Sequence, residues 1–150
     1  AEPTQSSLST RAIDLHARGL GALAQDDFGA ARDAMEALDT LVASDEDASW
    51  ASRAAALHLR GCVLGASGDE DAQMRLHREA AALEATAPLT FGPPAPFVPA
   101  NEALGHGLVL AGDYAGAIEA YEMALSRAPN RGQSVRGLER ARTALAAMDG

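Results

Sequence analysis

The chain has 150 residues, enough for one domain with its own core. Its net charge is −9 and all twelve basic residues are arginine, an acidic balance that repels phosphate backbones, so no nucleic-acid partner is expected. Apolar residues make up 47% of the chain but aromatics only 4%; alanine dominates, no stretch alternates as a strand would, and no run is long enough to span a bilayer, so the expectation is an all-α protein with no membrane partner.

Residues 1–8 read as a flexible tail. The opening "AEPTQSS" is compatible with cleavage after small residues, which leaves cytoplasm and periplasm both open as locations. A helix is expected over about 9–25, carrying Gly19 in "HARGLGAL". "AQDDFGA" then breaks the chain at Asp26 and Asp27, and a second helix runs over 28–43. The acidic connection "SDEDASW" (Ser44 to Trp50) ends in an N-cap for a third helix, 49–66, with Gly61 in "HLRGCVLG". "ASGDEDAQ" turns into a fourth, 70–85. Segment 86–100, "TAPLTFGPPAPFVPA", holds five of the seven prolines and reads as a rigid spacer rather than a binding loop, pinned to the helices by Phe91 and Phe97. A fifth helix over 99–111 carries Gly105 in "ALGHGLVL". After "AGDYAGA" a sixth runs over 114–128 and stops at Pro129. The last, 133–148, has nothing after it and reads as a solvating cap. Arg131, Arg136, Arg140 and Arg142 fall here as cations at helix ends and on a wet face, not as a nucleic-acid patch. The lone Cys62 excludes an intrachain disulfide.

The pattern repeats three times. Gly19, Gly61 and Gly105 each precede an aspartate by eight residues: Asp27, Asp69 and Asp113. Glycine in mid-helix costs about 1 kcal/mol against alanine, so its recurrence at one phase predicts a helix packed on bare backbone. Ala31 and Ala117 sit early in the second helix of their hairpins. Met35, His77 and Tyr121 lie further along those helices, on the inward side. This organisation resembles the tetratricopeptide repeat (TPR) family, whose pattern runs W-x2-L-G-x2-Y, A-x3-F, P. Residues Leu104, Gly105, Leu108, Ala117, Tyr121, Ala124 and Pro129 match it, with Asn101 in place of the tryptophan. The first unit (Leu15, Gly19, Ala22, Ala31, Met35, Leu38) and the second (Leu57, Gly61, Leu64, Gln73, His77, Ala80) match more loosely. Arg18 and Arg60 stand where the family prefers leucine, so either those hairpins tilt or the arginine stems snorkel outward. The resemblance implies a TPR-like helical solenoid, a right-handed α-α superhelix. Its single domain, 9–150, would hold units at about 9–43, 49–85 and 99–130 and a cap at 133–148. The proline-rich connection ahead of a strong final unit also resembles the C-terminal part of longer bacterial TPR proteins.

In that family the first helices of successive hairpins line a concave groove for a peptide or a partner's helix. The family's groove positions fall on His16, Leu20, Leu23 and Ala24 in the first unit. In the second they fall on His58, Cys62, Gly65 and Ala66, and in the third on Glu102, His106, Val109 and Leu110. The expected function is therefore a non-catalytic protein- or peptide-binding module using His16, Leu20, His58, Cys62, Glu102, His106 and Val109, with no cofactor. His58 and Cys62 are four apart, as are Glu102 and His106, and such pairs share a helix face. An alternative expectation is thus a metal-binding or metal-carrier protein using those four side chains. A second alternative is a structural homo-oligomer. His77, on a second helix, reads as packed. Catalysis has no motif to support it: there is no nucleophile elbow, phosphate loop or strand to carry one, and no enzyme is expected.

Overall fold

The computed structural model describes residues 5–88 and 98–150. They form seven helices and no strand: α1 (Gln5–Leu23), α2 (Phe28–Ala43), α3 (Trp50–Ala66), α4 (Glu70–Thr86), α5 (Ala100–Leu110), α6 (Tyr114–Arg127) and α7 (Gly132–Met148). The class is all-α, and six of the seven helices start within one residue of the expected position. The exception is α1, which begins at Gln5, inside the segment expected to be a tail. Residues 1–4 of that tail lie outside the described residues, as do Phe91 and Phe97. No described helix is long and apolar enough to cross a membrane.

Three turns share one construction. At the end of α1 the Asp27 N–H bonds to the Ala22 carbonyl and the Asp26 N–H to the Leu23 carbonyl; Asp69 and Gly68 repeat this after α3, and Asp113 and Gly112 after α5. That bonding pattern satisfies carbonyls a helix end leaves open, and it needs a left-handed residue just past the helix. Gly68 (φ 96°) and Gly112 (φ 78°) supply it at no steric cost, while Asp26 (φ 58°) takes it in the first turn. The aspartate that follows then caps the next helix. Asp27, Asp69 and Asp113 have φ between −92° and −85° and ψ between 74° and 76°. Their carboxylates accept the N–H groups of Ala30, Ala72 and Gly116 at 3.0, 2.9 and 2.9 Å.

Helix α5 has no side-chain cap of its own, since it starts after Pro99. Its cap comes from α4. The buried Glu84 carboxylate accepts the Ala100 N–H at 2.8 Å and the Asn101 side-chain amide at 3.2 Å. A carboxylate at that position satisfies an orphan donor and meets the positive end of the helix dipole. Glu84→Ala is expected to cost about 2–3 kcal/mol, a lost cap plus charged hydrogen bonds. Urea melts of both proteins check it, and a change under about 0.5 kcal/mol, the ordinary surface range, would sink the assignment.

Each helix packs against the next in the chain, and α1, α3, α5 and α7 also touch in succession. Among the described residues no helix reaches one more than two places away. The buried apolar residues accordingly fall in three clusters. One joins α1, α2 and α3 through Ala12, Ala31, Leu38, Leu59 and Val63. A second joins α3, α4 and α5 through Ala54, Ala80, Ala81 and Ala100. The third joins α5, α6 and α7 through Leu108, Ala117, Tyr121, Leu138 and Ala141.

The recurring glycines sit at tight approaches. A Cβ on Gly61 would lie 2.8 Å from the His77 ring, and one on Gly105 would lie 2.8 Å from the Tyr121 ring, so the second helices pack there as expected. Gly19 differs: a Cβ added there would lie 2.6 Å from Leu59 of α3, not against Met35. The arginines in the leucine positions turn outward. Arg18 is 70% exposed and pairs with Asp14 at 3.5 Å; Arg60 pairs with Asp39 of α2 at 2.6 Å.

Candidate functional site

Helix α3 presents His58 and Cys62 one turn apart on one face. Their side chains meet: Cys62 Sγ is 3.6 Å from His58 Nε2. Helix α4 brings His77 against the same sulfur, with Nε2 at 3.9 Å. The ring reaches it because Gly61 has no side chain to hold it off. The His58 and His77 rings stack with centroids 5.2 Å apart and planes 25° apart. From α1, His16 closes the group: its Nε2 lies 2.9 Å from His58 Nδ1. The donor atoms of His58, Cys62 and His77 all lie within 4.8 Å of one another.

All three imidazoles are buried, and burial disfavours their charged forms. It lowers His16 to about 4. It lowers His58 to about 3, with the nearby His16, His77 and His106 adding to the effect. His77 is lowered too, again by burial, with the backbone of His58 working the other way. Burial pushes the Cys62 thiol up to about 11. At neutral pH the metal-free cluster therefore holds neutral rings and a protonated thiol, not the thiolate–imidazolium pair of a cysteine nucleophile. One atom stands out: His77 Nδ1 is buried with no hydrogen-bond partner.

Other residues expected in the groove sit differently. His16 and His58 are buried between helices rather than displayed to solvent. Glu102 is also buried, and it leaves the metal set expected for it, because Arg131 and Ser134 engage its carboxylate. Arg131 donates to both oxygens at 2.7 and 2.9 Å, and the Ser134 hydroxyl donates at 2.6 Å. Burial alone would raise that carboxyl; the Arg131 and Ser134 hydrogen bonds and the Arg131 charge hold it below its usual range. Glu102 thus ties α5 to the start of α7. His106 leaves the set as well: it is exposed and lies edge-on to Tyr121 at 5.6 Å. Leu20 and Val109 are half-buried, and Leu110 is 88% exposed. Two of the four C-terminal arginines are ion-paired, Arg131 with Glu102 and Arg142 with Glu122 at 2.8 Å.

His77 is the member that sequence reasoning set aside as merely packed. A signal for it was present. It occupies the slot that Tyr121 fills opposite Gly105, so the residue opposite Gly61 had to face α3 within a turn of His58 and Cys62. An open cleft of about 620 Å³ also exists between α1 and α2, lined by Leu15, Ala22, Ala30 and Ala34 among others. It touches none of the clustered side chains and brings no comparable chemistry together. No protein-family model matches the chain, and no curated protein matches it significantly in sequence.

Proposed function

We propose that the chain is a TPR-like helical repeat of three hairpins and a capping helix, working as a non-catalytic module that binds a protein or peptide along the face formed by α1, α3 and α5. The observation that carries this reading is the thrice-repeated turn together with contacts confined to near neighbours in the chain. Units joined in that way stack as an open array and leave a long face without a central core behind it. A large apolar side chain left in water on a helix end is a natural anchor for a partner, and Leu110 is such a residue. With His16, His58 and Glu102 buried, the ligand would meet Leu110, Val109 and His106 of α5, then Cys62 at the edge of α3.

The test uses residues whose replacement leaves the core alone. The double variant His106→Glu, Leu110→Glu is expected to keep its melting temperature, because both side chains are exposed. A partner captured by cross-linking to the wild-type chain is expected to bind the variant about 10-fold or more weakly, the loss of roughly 1.4 kcal/mol or more at a small apolar anchor. Unchanged affinity for that partner would remove α5 from the binding face.

A further inference from the structure

We propose that His58, Cys62 and His77 form a buried site for one soft monovalent metal ion, copper(I), with His16 as the support that orients His58. This site shares only Cys62 with the proposed peptide-binding face and does not rest on that reading.

Spacing is the first argument. A closed-shell ion bound at about 2.3 Å from sulfur and about 2.0 Å from nitrogen holds those donors about 3.5 Å apart at a tetrahedral angle and about 3.7 Å apart at a trigonal one. Cys62 Sγ stands 3.6 Å from His58 Nε2 and 3.9 Å from His77 Nε2. Both sulfur–nitrogen separations are close to those such an ion needs, and all three donors lie within 4.8 Å of one another.

The surroundings point the same way. A metal-bound histidine ordinarily donates its other ring N–H to a fixed acceptor, which sets the tautomer. His16 Nε2, 2.9 Å from His58 Nδ1, is in place to accept that hydrogen, and the lone pair of His58 Nε2 then faces the sulfur. His77 is only 3% exposed, its Nδ1 has no partner, and its Nε2 is aimed at Cys62. With the ring hydrogen on Nδ1, the Nε2 lone pair faces the sulfur and is placed to bind an ion.

Charge selects the ion. Binding converts the thiol to a thiolate: the S–H bond breaks, an S–Cu bond forms, and the proton leaves to solvent without any change of oxidation state. Copper(I), thiolate and two neutral imidazoles sum to zero. A divalent ion would leave a net positive charge in a buried place, which is costly without a counter-charge. Among the described residues no carboxylate joins the donor group, and Glu102 is committed to Arg131 and Ser134. Thiolate is also the ligand that favours copper(I). Three donors satisfy copper(I), whereas a structural zinc site takes four. Cys62 is half-buried, which gives the ion a way in past the sulfur.

The test titrates the whole chain with copper(I) under argon against the chromophoric chelator bicinchoninate. One ion per chain is expected, with an X-ray absorption spectrum fitted by one sulfur and two nitrogens. Cys62→Ser exchanges a single atom and is expected to keep the helical circular dichroism while weakening copper(I) binding about 100-fold. His16→Gln is expected to weaken it about 10-fold through loss of the support. Arg78→Ala, exposed on α4 and outside the donor set, is expected to bind as the wild type does. Failure of the wild type to hold copper(I) against the chelator would overturn the proposal. So would equal affinity in Cys62→Ser, or zinc(II) retained where copper(I) is not. The binding face depends on His106 and Leu110, so a negative result here leaves that reading standing, and the reverse also holds.

Discussion

Moving the metal-free protein from about pH 7.5 to about pH 5 is expected to remove about 4 kcal/mol of folding stability. The source is the buried imidazole group. His16 is lowered to about 4 and His58 to about 3 from an ordinary 6.5, so both stay neutral in the folded chain while the unfolded chain takes up protons. Stability from a lowered histidine is intact above the unfolded value. It drains as pH falls below 6.5, at about 1.4 kcal/mol per pH unit for each ring, and levels off near the folded values. At pH 5 that amounts to about 2 kcal/mol from each of the two. His77, lowered in the same direction, adds to the loss. Glu102 adds a further loss at lower pH, since a carboxyl held below its usual range destabilises the fold as it takes up a proton. Urea unfolding of chelator-treated protein at the two pH values measures the effect. His58→Gln is expected to lose about half of the pH dependence, whatever its stability at neutral pH. A wild-type stability that stays level across the interval would mean that the rings are not buried together.

The largest single-residue effect on packing is expected at Tyr121. It is 1% exposed and is the bulkiest fully buried side chain among the described residues. Its ring fits between two bare stretches of backbone, Gly105 of α5 and Gly137 of α7, both so close that no side chain could stand there. Leu108, Ala117, Leu138 and Ala141 complete the surround. Three helices therefore meet on one aromatic. Tyr121→Ala leaves a cavity that two backbones cannot close without moving α5 and α7, and truncations of this kind cost about 3–5 kcal/mol. The denaturation midpoint is expected to fall with the slope of the transition unchanged, because folding would remain a single transition with the same surface exposed. Tyr121→Phe, which keeps the ring, is expected to retain most of the stability. A loss below about 1 kcal/mol in Tyr121→Ala would show that α5, α6 and α7 do not share this contact.

Much of the fold was legible in the order of the residues because the forces that set it are local. Glycine and aspartate at the turns, alanine in the helices and proline in the connection act on the few residues around them. Helix number, the three capping aspartates and the packing of the second helices on Gly61 and Gly105 follow from such rules. By sequence alone Arg18 and Arg60 could either tilt their hairpins or turn outward; the structure turns them outward, where a charged head stays in water. The start of α1 was not legible: nothing in "PTQSSLST" is strongly helical on its own, and the helix starts at Gln5 regardless.

The histidine–cysteine cluster was legible only in part. Periodicity put His58 and Cys62 on one face, and they do meet. The repeat resemblance implied that Glu102 and His106 could converge on them, and those two do not join the group. A helix face names a direction, not a neighbour. Whether Glu102 reached across to α3 or to Arg131 and Ser134 depended on where α7 folds back, a distance of 29 to 32 residues along the chain. Whether His16 faced water or His58 depended on how closely α1 approaches α3, which Gly19 and Leu59 govern together. The sequence by itself determined seven helices, their caps and the places where backbone is left bare. Only the tertiary structure decided which side chains fill those bare places, and so joined three histidines and a cysteine into one buried cluster, because side-chain contacts depend on ångström-scale approach between helices that no local preference encodes.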